Sequence, residues 1–263
     1  MIDEVLFLRH GRTAYNLARR LQGQIDIPLD IVGRWQADQS AYELAKTYYW
    51  AKVAHLAEHN DQLAQPTYEG AHLADISEIN NAPAAARRML VVSSDLFRAQ
   101  QTAHAFADLM GLDVELDPRL RERSFGDWEG IAVEELAKRF PEDYLSWAQF
   151  RGGELKYGAE PKQNVGRRGV EALNDWASKA GSDTDLYVFS HGAWISQTLQ
   201  TLLGLSEVHG DFADILSMRN AHWVRLAPLE LQGALRWRLV DYNHGPAIAD
   251  TEQLSLIHIS EPT

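Results

Sequence analysis

Arg9 and His10 stand side by side directly after the apolar run Val5 to Leu8, and Gly11 follows them. A second histidine, His191, closes another apolar run in "DLYVFSHGAWI". Arg98 comes shortly after "VVSSD", and Glu122 lies within "DPRLRERSFGDWEG". Two guanidiniums, two imidazoles and a carboxyl form a set suited to phosphoryl transfer. Guanidinium forks match phosphate oxygens in geometry and charge. A neutral imidazole can attack phosphorus, which splits one hard displacement into two easier ones. A neighbouring arginine at ~4 Å disfavours imidazolium by roughly 4 kcal/mol at an effective dielectric of 20, so nearby cations keep such a nucleophile free. The departing alkoxide then needs a proton, which a carboxylic acid can supply.

Residues so far apart in the chain can act together only if the fold gathers them. Three segments repeat an apolar strand, a polar turn and a helix, with strands at Val5 to Leu8, Leu90 to Val92 and Leu186 to Phe189; a further short strand spans Val114 to Leu116. Ser94 or Asp95 is expected as the N-cap of the helix that carries Arg98 in its first turn. Other helices are expected over Gly33 to His59, Ala132 to Phe140, Glu142 to Phe150, Arg167 to Ala180 and Ala193 to Leu203. Alternating strands and helices imply a mostly parallel sheet. "HWVRLAP" and "LRWRLVDYN", joined by a turn near Gly233, suggest an antiparallel edge. The expected fold is therefore α/β, a three-layer α/β/α sandwich. Ligands of open α/β sheets bind beyond the carboxyl ends of the strands. Arg9, His10, Arg98, Glu122 and His191 all fall at such ends, and Gly11 lets backbone and ligand approach closely.

These motifs resemble the histidine phosphatase superfamily, also called phosphoglycerate mutase-like. The resemblance rests on "LRHGRTAYN", "QGQIDIPLDIVGRWQA", "SSDLFRAQQTA", "LRERSFGDWEG" and "FSHGAWI", in that order, and covers most of residues 3 to 245. One Arg-His-Gly alone would be weak, but the ordered set is specific. The resemblance implies a phosphoglycerate mutase-like fold, with His10 as nucleophile and Glu122 as general acid and later base for water. Asp127 and Glu129 compete with Glu122 by residue type, and the motif alignment selects Glu122. Arg9, Arg98 and His191 would clamp the phosphoryl group. Asn16, Gln22 and Gly23 would line the phosphate and substrate side, and the backbone of Gly192 would add a donor. No metal and no cofactor are implied. The glycolytic mutases of the family carry a proline-rich stretch after the acid motif, absent from "GDWEGIAVEELAKRFPEDYLSWAQFRGGE", so the phosphatase branch is favoured over mutase activity with the same site. A homodimer is a further expectation from similar proteins.

A single domain over residues 1–253 is expected, with two insertions. Residues 124–165 follow a strand's carboxyl end and should cap the pocket. Their Phe125, Trp128, Tyr144, Trp147 and Phe150 either face an apolar leaving group or pack the cap's own helices. The polar stretch 60–88 is long for an αβ connection and should lie at the edge away from the site, as a disordered loop or an interaction surface. The pairs His209-Gly210 and His244-Gly245 are expected to be neutral surface turns, the second on a strand whose end points away from the site.

Two rival readings come from other classes. "HLAEH", with His55, Glu58 and His59, fits a zinc-hydrolase pattern, for which Glu69 or Glu78 would have to serve as third ligand. A non-catalytic phosphate-binding module is the other; here every catalytic position is occupied, which argues against it.

Composition narrows the remaining classes. The 263 residues, 45% hydrophobic, suffice for one large core without disulfide or metal staples. Absence of cysteine removes thiol catalysis and fits a cytoplasmic setting. The formal charge of -12 argues against nucleic acid and anionic lipid as partners, yet a local arginine cluster can still hold a small phosphorylated substrate. "MIDEVLF" lacks the basic and apolar regions of a signal peptide, and no apolar run reaches membrane-span length. The ending "LSLIHISEPT", residues 254–263, resembles the in-frame translation of a transposase adapter, which would place it outside the fold; the alternative is an ordinary terminal strand, "LSLIHI".

Overall fold

Four strands whose apolar residues alternate between two faces build the centre of a six-stranded sheet, ordered β3-β2-β4-β1-β5-β6. The computed structural model describes residues 2–49, 88–205, 218–231 and 234–246. The strands are β1 (Glu4–Arg9), β2 (Met89–Ser93), β3 (Val114–Leu116), β4 (Asp185–Ser190), β5 (Trp223–Leu231) and β6 (Ala234–His244). Among them β1 runs parallel to β4, and β2 runs parallel to both β4 and β3. β5 is antiparallel to β1, and β6 to β5, which makes the antiparallel edge. The residues joining β5 to β6, where Gly233 was expected to turn, lie outside the described residues.

The described helices are α1 (Ala14–Leu17), α2 (Ile31–Leu44), α3 (Phe97–Met110), α4 (Val133–Arg139), α5 (Pro141–Ala148), α6 (Lys162–Ala180) and α7 (Gly192–Leu203). Period-two strand geometry sends Leu6 and Leu8 to one face and Val5 and Phe7 to the other. Leu6 and Leu8 pack with Ala41 and Leu44 of α2 and Phe106 and Met110 of α3. Val5 and Phe7 pack with Leu173 and Trp176 of α6 and Trp194 and Leu199 of α7. The result is the expected three-layer α/β/α sandwich. No described helix is long and apolar enough to cross a membrane.

Local boundaries differ from the sequence expectations where distant groups take part. α2 starts at Ile31, since Asp30 caps it by accepting the Gly33 N–H at 2.7 Å, and it passes into a π-helical turn at Ala45–Tyr49. The expected continuation to His59 lies outside the described residues. α6 begins at Lys162 instead of Arg167, with Pro161 at its N-cap, and its Val165 is part of the main core. α3 is capped by neither Ser94 nor Asp95: its N-cap is Leu96, and Asp26 accepts the N–H of Phe97 at 2.7 Å from 71 residues away. The two expected caps have other partners, described below.

Residues 124–161 gather around a small cluster of Phe125, Trp128 and Leu136, against which Leu21 of the loop after β1 also packs. Trp128 lies edge-on to Trp147 at 5.9 Å and stacks on Phe140 at 6.1 Å, while Phe125 and Tyr144 also pack against Trp147. Of the five aromatics, then, four pack the cap itself. Phe150 is exposed beneath the ammonium of Lys162. The stretch 60–88 is described only at Arg88, and His55, Glu58, His59, Glu69, Glu78 and the pair His209-Gly210 lie outside the described residues.

Candidate active site

The site begins where β1, β2 and β4 run out together. His10 N–H donates to Ser190 at 3.0 Å, Ser94 N–H to Phe189 at 2.9 Å and Arg9 N–H to His222 at 2.9 Å. These bonds continue the ladders past the strands and hold their terminal side chains on one rim. Close backbone packing supports the turn after β1: a Cβ on Gly11 would meet the Gly33 carbonyl oxygen at 2.3 Å, so only glycine fits. Gly11 N–H donates to Thr102 Oγ1 at 3.1 Å, which anchors the turn to α3.

His10 and His191 lie beside each other on this rim, with ring centroids 5.2 Å apart, and both are buried. His10 Nδ1 is 2.7 Å from the Gly11 carbonyl oxygen, an acceptor only, so Nδ1 must carry the proton. In the neutral ring this leaves the Nε2 lone pair available. Burial holds the His10 pKa well below its usual value, reinforced by the Arg98 and Arg9 guanidiniums. His191 is depressed in the same way, by burial first and then by Arg98 and His10. The second histidine is therefore a neutral hydrogen-bonding group, and the positive charge of the site resides in its arginines.

Arg98 is fully buried at the start of α3 and donates to the carbonyls of Ile25 at 2.8 Å and Gly23 at 2.7 Å. Burial lowers its pKa to about 10, with Glu122 and Asp26 opposing the shift, so it stays charged at neutral pH. Gly23 has a φ of +51, and a Cβ there would collide with the Glu129 carboxylate. Arg9 donates to the Met218 carbonyl, and its guanidinium packs against Gly192, where a Cβ would stand 3.4 Å from Cζ. Gln22 Oε1 lies 2.8 Å from Thr13 Oγ1, and Asn16 Oδ1 accepts the Thr13 N–H at 3.1 Å. Asn16, Gln22 and Gly23 thus order the loops around His10 and Arg98.

Geometry separates the three acidic candidates. Glu122 Oε1 accepts the N–H of Trp194 at 3.0 Å and of Arg123 at 2.8 Å, and Oε2 accepts that of Ala193 at 3.2 Å. Its carboxylate therefore sits at the N-terminus of the helix that follows His191. Glu129 is a staple between loops, since its Oε1 accepts from Gln24 N–H, Ser124 hydroxyl and Phe125 N–H. Asp127 is exposed.

Several contributors were not singled out in the sequence. Asn220 donates to the His10 carbonyl at 3.0 Å and bridges to Asn16 Oδ1 at 3.3 Å. Arg168 reaches from α6 to the carbonyls of Arg119, Arg121 and Glu122 at 2.6, 2.6 and 3.1 Å, with Glu160 pairing its charge. Ser94 lies 2.9 Å from His191 Nε2, and Asp95 forms a bidentate pair with Arg121 at 2.7 and 2.6 Å. In sequence the "SSD" run reads as a cap and as part of the second-arginine motif, whereas its side chains brace His191 and the loop carrying Glu122. His244 also departs from expectation. Because β6 is antiparallel to β5, it runs in the direction of β1, and its end returns to the site rim, where His244 stacks on Trp223 at 5.0 Å.

Comparison with known proteins agrees with this arrangement. A family model described as histidine phosphatase superfamily (branch 1) matches residues 5–55 and 76–243. A glucosyl-3-phosphoglycerate phosphatase from Mycolicibacterium vanbaalenii is 31% identical, over 95% of this chain and 98% of its own. A probable phosphoglycerate mutase GpmB from Yersinia enterocolitica is 32% identical, over 77% of this chain and 75% of its own. The solved mycobacterial glucosyl-3-phosphoglycerate phosphatase in complex with VO3 superposes with a TM-score of 0.67 at 28% identity, covering 92% of this chain and 98% of that one. A match that takes in Arg9, His10, Arg98, Glu122 and His191 leaves one conclusion about kinship: this chain belongs to the histidine phosphatase superfamily.

Proposed function

We propose that the protein hydrolyses phosphate monoesters of a small metabolite through a phosphohistidine on His10. The observation that carries this reading is the Nδ1–H of His10 directed at Gly11, which leaves an uncharged Nε2 beside two guanidiniums. In the first step Nε2 forms a bond to phosphorus as the P–O bond to the alcohol breaks. Arg9 and Arg98 hold the charge that spreads over the phosphoryl oxygens, where preorganised cations are most effective. The departing alkoxide takes a proton from Glu122. Oε1 of that residue already accepts two backbone N–H groups and Oε2 only one, so Oε2 is the oxygen with room for the proton. In the second step Glu122 accepts a proton from water as it attacks the phosphohistidine, and the P–N bond breaks to release phosphate and restore His10.

The phosphatase reading is preferred to the mutase reading because the relative named as a phosphatase aligns over 95% of this chain and the one named as a mutase over 77%. The relatives' names suggest a phosphorylated glyceric acid derivative such as glucosyl-3-phosphoglycerate as the substrate class. The test is a panel of phosphorylated sugars and glycerates assayed for phosphate release, together with 3-phosphoglycerate assayed for isomerisation. Release from an ester of this class, with acid-labile label retained on the protein, supports the reading. Isomerisation without net release would replace it with the mutase.

A further inference from the structure

We infer that Ser94 is a positioning residue that holds His191 as the Nδ1–H tautomer, so that this ring donates a hydrogen bond to the bound phosphoryl group. The inference rests on the phosphatase reading for the identity of the acceptor, but the tautomer follows from hydrogen-bond accounting alone. Ser94 and His191 are both fully buried at the ends of β2 and β4. A serine hydroxyl has one proton to give and two lone pairs to receive with. Among the described residues Ser94 Oγ has two neighbours: the Leu96 N–H, which donates to it at 3.3 Å, and His191 Nε2 at 2.9 Å. A backbone N–H cannot accept, so among the described residues Nε2 is the only acceptor within reach of the hydroxyl proton.

The opposite assignment fails at both ends. If Nε2 carried the proton and donated to Ser94, the buried hydroxyl would have nowhere to send its own proton. Nδ1 would then be a buried lone pair with no donor. Buried polar groups are rarely left this way, and each exception calls for an explanation. With the hydroxyl donating to Nε2, a neutral His191 has its proton on Nδ1. Nδ1 is also the one atom of the pair that is buried without a partner among the described residues. The His191 ring lies 5.2 Å from that of His10, centroid to centroid. A phosphoryl oxygen held there gives the orphaned N–H its acceptor. The two histidines are thus the same tautomer for complementary purposes. His10 gives Nδ1–H to the Gly11 carbonyl so that Nε2 can attack, and His191 receives at Nε2 from Ser94 so that Nδ1 can donate.

The test is a long-range proton-nitrogen correlation spectrum of the full chain labelled with nitrogen-15 histidine, with His10 and His191 assigned through the variants H10Q and H191Q. The expected pattern for His191 is a protonated Nδ1 and an unprotonated Nε2, with the Nδ1 signal moving when inorganic phosphate is added. In S94A the ring should pass to the Nε2–H form, phosphate should bind roughly ten- to hundredfold more weakly for loss of one donor to a charged acceptor, and His10 should keep its pattern. S94T, which retains the hydroxyl, should restore the His191 pattern. An Nε2–H or imidazolium pattern for His191 in the unaltered protein would overturn the inference, as would an unchanged tautomer in folded S94A. Lack of turnover on every phosphate ester, with the spectra as expected, would count against the phosphatase reading and leave the tautomer assignment supported.

Discussion

Glu122 accepts the backbone N–H of Trp194 at 3.0 Å and that of Ala193 at 3.2 Å, and these two bonds tie the acidic loop to the helix that starts immediately after His191. Helix N-termini leave N–H groups without internal partners and favour a negative group there. The candidate acid is therefore held by backbone donors close to the two rings.

From this placement, Glu122→Gln should reduce turnover of alkyl phosphates by about a hundredfold to ten-thousandfold, the range for loss of a general acid. Aryl phosphates, whose leaving groups need less protonation, should suffer much less. Glu129→Gln keeps the acceptor oxygen that joins the loops and should be close to neutral for both substrate types. Parallel kcat measurements on a phenyl and an alkyl ester check this, and equal losses in E122Q would point to another acid.

His10→Ala should abolish acid-labile labelling by a phosphorylated substrate and lower turnover to background. The neutral ring at rest adds a second expectation. Because burial and two arginines hold His10 well below its ordinary pKa, kcat/KM should show no acid limb at the usual imidazole value near 6.5. A limb at that pH that disappears in His191→Gln but survives elsewhere would assign the titration to the second ring instead.

Stability should depend on pH through the same two rings. Both folded pKa values lie below the unfolded value, so under acid conditions the unfolded chain binds protons that the folded chain refuses. Stability is then highest above about pH 6.5 and declines as the pH falls below it, by at most about 1.4 kcal/mol per pH unit for each ring. The double variant H10Q/H191Q should show a shallower decline over pH 6.5 to 5 in denaturant titrations. An identical slope would mean that the rings titrate normally.

Arg168 fixes the backbone that bears Glu122, while its charge is paired by Glu160. Arg168→Lys keeps the charge but cannot reproduce the fork over several carbonyls. It should lower kcat for alkyl esters more than it raises KM, since phosphate is gripped elsewhere. Loss of binding with kcat intact would contradict this arrangement.

Arg123, just before the segment 124–161, forms a buried ion pair with Glu154 of that segment at 2.6 Å, each side chain 3% exposed. Removing one member of such a pair leaves a buried charge uncompensated and typically costs about 3–5 kcal/mol. Arg123→Ala should therefore lower the unfolding midpoint markedly, whereas R123M/E154M together should recover most of the loss. Equal destabilisation by the single and double variants would show that packing, not charge, holds this point.

Strand positions and the five reactive groups could be read from residue order, because apolar runs and motif spacing are properties of neighbours in the chain. Helix boundaries were less accessible where a distant side chain decided them, as with Asp26 at the start of α3. The end of the last strand at His244 differs from the sequence expectation, since two antiparallel steps restore the original direction and bring that end back to the rim.

What the sequence by itself determined was which chemical groups lie at the carboxyl ends of which strands. Only the tertiary structure decided their states: which acid caps α7, which nitrogen of each ring bears the proton, and which backbone groups brace them. The bonds responsible join residues as far apart as Asn220 and His10, 210 positions, or His191 and Ser94, 97 positions. Such partners carry no local periodicity, and a proton on a buried ring goes where the surrounding donors and acceptors permit.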